Sequence, residues 1–397
     1  MSVTLLTRPA STTALRIGML SESYLPRISG VVHSLTAFVG ALRERGHRVF
    51  VVAPVHPGYA DTEPDIIRLP SVRLPHEPDF PLANLLAPAS WRMLQTLDVD
   101  VVHTHSPFLM GRAGARVARR RKIPLVFTHH TLYDEYLHYV PWIGPAVSRP
   151  AVRRYVARYA NRCDLVIAPS SVVASRLRAH GVHSRIEVLP TGVVDTGLIA
   201  SLDPSWVRPV FGVPEEQTLM VTASRLGKEK SVDLLLEMFA NVVQRREAVL
   251  LIVGGGPEDG ALKEQAVRLG VAERVTFAGL QPHKKTLECM AASDIFVFAS
   301  QTETQGLAVI EAIAVGRPVV AVAAGGVTDA VRGGDTGVLS PASAPAMADR
   351  VVALIDDPAR RARLAERARE AAYQFSLEAA ADRLSALYRS LLPVPHR

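Results

Sequence analysis

The chain has 397 residues, of which 48% are hydrophobic and 21% charged. This length predicts two domains, and this composition excludes a disordered chain. Its only two cysteines, Cys163 and Cys289, lie far apart in the sequence, which excludes a disulfide framework and a cysteine-based zinc site. No apolar stretch reaches the roughly 18 to 20 residues of a membrane-spanning helix. Because Arg8 and Arg16 interrupt the first apolar segment, we expect no signal peptide and therefore a soluble, cytoplasmic protein.

Positive charge is concentrated in the first half of the chain. Residues 1–200 hold 23 Lys and Arg against 14 Asp and Glu, whereas the remaining 197 residues hold 22 against 24. The densest basic stretches are 112–122 and 149–162. This excess indicates an anionic partner, either nucleic acid or an anionic bilayer surface, unless the arginines only form a solvated face.

Short apolar runs alternate with helical patterns along the whole chain. Strands are predicted at 16–20, 48–53, 99–103, 124–128, 164–168, 186–189, 218–223, 249–253, 274–278, 294–299 and 318–322. Most of these runs are continuously apolar, as in strands that are covered on both faces. Strands that alternate with helices predict parallel sheets, so the fold class is α/β with two doubly wound, Rossmann-like domains facing a central cleft.

The domain boundary is predicted near Pro190–Pro214, a segment rich in proline and glycine. A last helix should begin after Ser376 as its N-cap, with Leu377, Ala380, Leu384, Leu387 and Leu391 on one face. We therefore predict an acceptor-binding domain at 1–200 plus 376–397 and a donor-binding domain at 201–375. A ligand should lie at the carboxyl ends of the strands, in the cleft between the domains.

Three segments follow predicted strands and carry groups suited to a phosphorylated sugar. Gly30 stands at the mouth of the first helix, where backbone N–H groups can approach a phosphate. Arg225 and Lys230 follow strand 218–223 and supply two cations for a departing diphosphate, unless they are a solvated charge cluster. Glu303 and Glu311 lie in a loop and in the helix after strand 294–299. A carboxylate beside apolar Ile310 and Ala312 is unfavourable unless it bonds a cation or hydroxyls such as those of a ribose.

Together, the Glu303-x7-Glu311 segment, the Arg225 and Lys230 pair, the Gly30 loop and the two-domain layout resemble the retaining glycosyltransferases of family 4, which have a GT-B fold. The run Thr128-His129-His130-Thr131-Leu132-Tyr133-Asp134-Glu135-Tyr136 is similar to that of bacterial diacylglycerol α-glucosyltransferases. The segment Pro190-Thr191-Gly192 is also of the type found in that subgroup.

The resemblance implies roles for individual residues. Gly30, Arg225 and Lys230 would bind the donor diphosphate, and Glu303 would bond the sugar hydroxyls. The backbone N–H groups of Gly306 and Leu307 would lie nearby, Glu311 would bond the ribose, and His130 would contact the sugar. Asp195 stands one residue later than the family pattern has it and receives no role.

No metal or other cofactor is expected, because Arg225 and Lys230 supply the charge that a metal would bring. The sequence Asp98-Val99-Asp100 has the spacing of a manganese motif, yet it precedes a predicted strand and therefore lies at the wrong edge of the sheet. His103 and His105 lack an evident third ligand, which favours a cleft-lining or acceptor role over a zinc site.

The leading hypothesis is transfer of a hexose, glucose from UDP-glucose, to a diacylglycerol-type lipid by a peripheral enzyme on the inner face of the cell membrane. The membrane contact would combine the basic run 112–122 with the segment Phe80–Leu86 extended toward Trp91. Alternatives are a soluble sugar, phosphoinositide or polysaccharide acceptor with a GDP- or ADP-linked donor. Two other classes are a non-hydrolysing epimerase, disfavoured by the paired glutamates, and a nucleic-acid-binding protein.

Overall fold

The computed structural model describes residues 14–27, 29–63, 65–74, 77–134, 145–192, 194–331 and 335–393. Its strands are β1 (Arg16–Leu20), β2 (Arg48–Pro54), β3 (Ile66–Leu69), β4 (Ser71–Leu74), β5 (Glu77–Ala83), β6 (Val101–Thr104), β7 (Leu125–Thr128), β8 (Leu165–Ala168), β9 (Ile186–Val188), β10 (Thr218–Ala223), β11 (Ala248–Val253), β12 (Val275–Gly279), β13 (Ile295–Phe298), β14 (Val319–Val322) and β15 (Gly337–Ser340).

The helices alternate with these strands. They are α1 (Gly30–Glu44), α2 (Pro88–Thr96), α3 (Leu109–Arg121), α4 (Pro145–Ala160), α5 (Ser171–Ala179), α6 (Thr196–Ala200), α7 (Val207–Val210), α8 (Val232–Val243), α9 (Asp259–Arg268), α10 (His283–Ala292), α11 (Leu307–Ala314), α12 (Val327–Ala330), α13 (Ala344–Ile355), α14 (Pro358–Ala372) and α15 (Leu377–Leu391). Short 3-10 turns occupy Lys228–Lys230, Ala272–Arg274 and Tyr373–Phe375.

The strands form two large sheets of the doubly wound type. The first has the order β3-β2-β1-β6-β7-β8-β9 and the second the order β12-β11-β10-β13-β14-β15. All described pairings within these sheets are parallel. The predicted α/β class with two doubly wound sheets is therefore confirmed, and β4 and β5 add a small antiparallel hairpin that was not predicted.

The second sheet is covered on both faces, which explains its continuously apolar strands. Leu219 and Val221 of β10 pack into one buried cluster, while Met220 between them packs into the other. Alternate residues of a strand point to opposite faces, so helices on both sides must bury them. The two clusters hold the strands rigidly, and a rigid sheet fixes where the loops at its carboxyl edge begin.

The chain separates into two compact units. Unit 1 comprises residues 1–127, 162–164 and 387–397, and unit 2 comprises residues 128–161 and 165–386. The division predicted from the sequence, with boundaries at residues 200 and 375, stays a prediction.

In each sheet there is one place where successive strands stop adding on one side of the first strand and begin adding on its other side. In the first sheet, β1 lies between β2 and β6, and in the second sheet β10 lies between β11 and β13. At such a switch point the loops that follow the two central strands diverge and leave a crevice, where ligands of open α/β sheets bind. In the second sheet these loops are residues 224–231 and 299–306, the two segments that carry Arg225, Lys230 and Glu303.

Candidate active site

Lys230 and Glu303 meet at the carboxyl edge of the second sheet. The Lys230 Nζ atom donates to Glu303 Oε1 at 2.5 Å, and the two side chains are 20% and 16% exposed. Ser300 Oγ donates to the Glu229 carbonyl at 3.1 Å and joins the two loops beside this pair. A cation and a carboxylate held together in a half-buried crevice can bind a phosphate and the hydroxyl groups of a sugar at the same time.

Arg225 lies in the same loop as Lys230 and is exposed at the end of β10. The backbone of this loop packs closely against Gly254, Gly255 and Gly256, which follow β11. A Cβ atom added at Gly254 would stand 1.9 Å from the Ser224 carbonyl oxygen, and one at Gly256 would stand 2.4 Å from that of Leu226. Only glycine fits these positions, so this turn shapes the loop that carries both cations.

Gly306 ends the Glu303 loop, which we define as residues 299–306, and caps α11 in the left-handed region with φ of +79°. Leu307 is the first residue of that helix. Their backbone N–H groups therefore belong to the first turn of α11, where no intrahelical acceptor is available and where the helix dipole favours an anion. This is the geometry in which a phosphate or a carboxylate is stabilised.

Glu311 lies within α11, and its carboxylate is only 14% exposed. The structure supplies a partner that the sequence reasoning did not name, because His283 Nε2 lies 2.9 Å from Glu311 Oε1. The hydrogen bond to Glu311 raises the pKa of the His283 imidazole, against the opposing effect of burial. The predicted ribose partner of Glu311 would therefore share this carboxylate with a histidine.

His129 and His130 follow β7. His129 is buried, with its ring edge-on to Tyr133 at 5.5 Å, while His130 is half-buried. Loss of hydration lowers the pKa of His129 to about 4 and that of His130 to about 3. Both imidazoles are therefore neutral at neutral pH, and a neutral His130 can hydrogen-bond a sugar hydroxyl without adding charge.

Gly30 belongs to unit 1 and is the first residue of α1. Ser29 caps this helix, and its Oγ accepts from the Val32 N–H at 3.3 Å. Gly30 is exposed, so its backbone N–H group stands at an open helix N-terminus in the unit that does not contain Glu303.

Gln305 and the pair Gly325 and Gly326 hold the Glu303 loop and were assigned no role from the sequence. The buried Gln305 carboxamide accepts from the Thr191 N–H at 2.9 Å and donates to the Thr191 carbonyl at 3.1 Å. A Cβ atom at Gly325 would stand 2.3 Å from the Glu303 carbonyl oxygen. The only available signals were another polar residue in the loop that follows strand 294–299 and two glycines after strand 318–322.

The histidine and aspartate pairs considered for metals have other partners. His103 Nδ1 lies 2.6 Å from the hydroxyl of the buried Tyr388, and the cleft-lining or acceptor role expected for His103 and His105 stays a prediction. Asp98 and Asp100 pair with Arg16 at the beginning of β1, which is the amino edge of the sheet, as predicted. Asp195, which received no role, caps α6 through a bond from Leu198 N–H at 2.9 Å.

Two family models match this chain, one in each half. The model of "Glycosyltransferase Family 4" matches residues 28–196, and that of "Glycosyl transferases group 1" matches residues 207–371. An alpha-monoglucosyldiacylglycerol synthase of Streptococcus pneumoniae is 32% identical over 77% of this chain and 71% of its own length. A D-inositol 3-phosphate glycosyltransferase of Catenulispora acidiphila is 34% identical over 74% of this chain and 73% of its own.

The fold has close structural neighbours. The crystal structure of Anabaena HepE in complex with UDP superimposes with a TM-score of 0.77 at 23% identity and covers 95% of this chain and 100% of that one. Across the described residues, none of the helices combines the length and the apolar character that a membrane crossing requires. The two family matches, the identity to these relatives and the two doubly wound sheets make the chain a hexosyltransferase that belongs to glycosyltransferase family 4, with the GT-B fold.

Proposed function

We propose that the chain transfers glucose, with retention of configuration, from UDP-glucose to a diacylglycerol-type lipid at the inner face of the cell membrane. The observation that carries the transfer is the Lys230 and Glu303 pair at the switch point of the second sheet. The lipid acceptor is supported by the run 128–134 and by the relative from Streptococcus pneumoniae that is named as a glucosyldiacylglycerol synthase.

Each site residue has a role in this reaction. Arg225 and Lys230 bind the diphosphate and stabilise the charge that grows as it departs. Glu303 accepts hydrogen bonds from the glucose hydroxyls, and the N–H groups of Gly306 and Leu307 bind an anion beside it.

The remaining site residues bind the parts of the donor further from the reacting bond. Glu311 bonds the ribose, His130 donates to a sugar hydroxyl, and the backbone N–H group of Gly30 binds a phosphate.

The reaction replaces one bond to the anomeric carbon by another. The bond from that carbon to the leaving phosphate oxygen breaks, and a bond to the acceptor hydroxyl oxygen forms on the same face. The departing phosphate oxygen takes the proton of the acceptor hydroxyl. Because Arg225 and Lys230 neutralise this phosphate, we propose that no metal is required, and activity in excess EDTA should equal activity without it.

A basic and apolar surface of unit 1 supports a membrane contact. Arg112, Arg116, Arg119 and Arg120 lie on the exposed side of α3, opposite its buried residues Met110, Ala113, Gly114 and Val117. The Arg116 guanidinium stands 4.4 Å from the centre of the Trp91 ring.

Apolar surface lies next to these arginines. Trp91 Nε1 donates to the Leu85 carbonyl at 2.8 Å, and Leu86 beside it is 95% exposed. Phe80 to Ala83 form part of β5 rather than of a helix, so the apolar element is a turn followed by α2. An exposed leucine and an interfacial tryptophan beside four arginines suit an anionic bilayer surface.

The transfer is tested by incubating the wild-type protein with labelled UDP-glucose, GDP-mannose and ADP-glucose, each with dioleoylglycerol or with soluble sugars. We expect a glucolipid from UDP-glucose and dioleoylglycerol. Product only with a soluble acceptor would support the second candidate, which is favoured by the relative named as a D-inositol 3-phosphate glycosyltransferase. Absence of turnover with every donor would contradict the proposed activity.

The membrane contact is tested by co-sedimentation with vesicles of phosphatidylglycerol and phosphatidylcholine. Binding should increase with the anionic fraction and decrease with salt. Reversing the charge of Arg112, Arg119 and Arg120 should abolish it, whereas reversing three exposed arginines of unit 2, Arg350, Arg360 and Arg363, should not. Equal binding by both triple variants would contradict this surface, and binding to an oligonucleotide instead of vesicles would favour the nucleic-acid alternative.

A further inference from the structure

The Glu303 loop is held from outside by bonds that do not involve the substrate. Ser170 Oγ donates to the Thr304 carbonyl at 2.7 Å, and the Gly326 N–H donates to the Glu303 carbonyl at 2.8 Å. The two bonds between Gln305 and Thr191 complete this set. All of these residues belong to unit 2.

The bonds of Gln305 differ from the others because one side chain pairs with both backbone polar groups of a single residue. Its carboxamide takes both the N–H and the carbonyl of Thr191, and Gln305 and Thr191 are each 5% exposed. A buried backbone N–H or carbonyl group without a partner is unfavourable, so the paired arrangement is strongly preferred over an open one. A carboxamide that both accepts from and donates to one residue also fixes the distance and the relative orientation of the side chain and that residue's backbone.

The position of Gln305 in the chain turns this pairing into a constraint on the site. It lies two residues after Glu303 and immediately before Gly306, whose left-handed backbone begins α11. On the other side, Thr191 stands in the Pro190-Thr191-Gly192 segment. A Cβ atom on Gly192 would lie 2.5 Å from the Cα of Leu377, so this segment packs tightly against the beginning of α15. Gln305 therefore bonds the Glu303 loop to a segment that is packed tightly against α15.

We propose that Gln305 is a positioning residue for the transfer reaction, which it serves by pairing with Thr191 and thereby fixing Glu303 and the N–H groups that begin α11. The proposal rests on the proposed function, since it assigns Glu303 to the sugar. Gln305 itself contacts no substrate in this account. Small displacements of groups that meet the transition state reduce turnover strongly, by about a hundredfold for a shift of 1 Å.

Two variants test the role. Gln305→Glu keeps the size of the side chain, and when protonated it can both accept from the Thr191 N–H and donate to the Thr191 carbonyl. When ionised it cannot donate, and its charge faces a carbonyl oxygen. Gln305→Met removes both bonds. The control is Gln244→Glu, which makes the same chemical change at an exposed residue at the end of α8.

We expect kcat of Gln305→Glu to fall at least about tenfold at pH 8 while KM for UDP-glucose changes less than about threefold, because misplacement affects the transition state more than the ground state. The ratio of its kcat to that of the wild type should rise as pH falls, as the carboxyl group regains its proton. The charged groups near this loop are the same in both proteins: Glu303, Lys230 and Asp329, which accepts a hydrogen bond from Ser171 Oγ at 2.8 Å. The control should match the wild type at every pH.

Hydrogen exchange provides a readout that does not depend on turnover. Amides of residues 299–306 should exchange faster in Gln305→Met, and in Gln305→Glu at pH 8, than in the wild type or the control. Unchanged exchange, or a kcat ratio of about one at all pH values, would overturn the proposal even if the enzyme is active. Faster exchange in a chain that turns over no donor would instead contradict only the proposed function. If Gln305→Met does not fold, Gln305→Glu carries both measurements.

Discussion

The strongest test of the site is replacement of Lys230 by methionine. Methionine is unbranched and only one atom shorter than lysine, but it lacks the charge that lies 2.5 Å from Glu303. Removal of one donor that stabilises developing charge lowers turnover by about 10² to 10³, or about 3 to 4 kcal/mol of transition-state stabilisation. We expect this loss in kcat/KM for UDP-glucose, measured with dioleoylglycerol as acceptor.

Replacement of Lys230 by methionine should also lower the free energy of unfolding. Exposed ion pairs contribute about 0 to 1 kcal/mol, and removing one partner of a fully buried pair is unfavourable by about 3 to 5 kcal/mol. Because the Lys230 and Glu303 side chains are 20% and 16% exposed, the expected value lies between these ranges, at about 2 kcal/mol of unfolding free energy. Denaturant unfolding of the single variant measures it.

A second substitution separates catalysis from stability. Adding Glu303→Gln to Lys230→Met removes the unpaired carboxylate, so the unfolding free energy should return to within about 1 kcal/mol of the wild type. Activity should stay lost, because neither the cation nor the sugar-binding carboxylate is restored. Recovery of activity in the double variant would refute the reasoning, since Lys230 would then act only by neutralising Glu303.

Three further predictions concern the other site residues. Glu311→Gln should raise KM for UDP-glucose about tenfold with little change in kcat, because the ribose is remote from the reacting bond. Steady-state kinetics measures both constants, and a loss in kcat alone would contradict this role. The pKa of His283 is higher in the folded chain than in the unfolded chain, where it is about 6.5. The bond to Glu311 therefore stabilises the fold fully at pH values below about 6.5, and this stabilisation is lost as the pH rises through the folded-state pKa. The difference in unfolding free energy between the wild type and His283→Asn should therefore decrease as the pH rises through the folded-state pKa of His283. His130, with a folded pKa of about 3, resists protonation that the unfolded chain accepts. His130→Gln should accordingly lose less stability than the wild type between pH 6.5 and 4, as measured by thermal melts, and equal losses would contradict the lowered pKa of this imidazole.

The sequence by itself determined the fold class and the position of every predicted strand. All eleven predicted runs coincide with strands, and most of these strands are buried on both faces, although β9 and β12 are only partly buried. It did not reveal β3, β4, β5 or β15. β3 and β15 are four-residue edge strands whose apolar runs are interrupted by Arg68 and by Gly337 and Ser340, and the hairpin of β4 and β5 stands outside both sheets.

The order of strands in the sequence predicts which loops form the candidate site, but it does not predict all of the contacts there. Glu303, Lys230 and Arg225 follow strands, and the carboxyl ends of parallel strands share an edge, so their neighbourhood follows from chain order alone. The segment 135–144, part of which belongs to the motif that indicated a lipid acceptor, lies outside the described residues.

The tertiary structure decided which side chains actually bond. The bonds from His283 to Glu311 and from Gln305 to Thr191 span 28 and 114 residues of sequence. His103 likewise finds Tyr388 across 285 residues. Such pairs depend on how helices and loops pack on the sheet, and local propensity holds no information about that packing. Chain order therefore predicts which edge of a sheet carries the chemistry, whereas packing determines the orientation and the pKa of each group there.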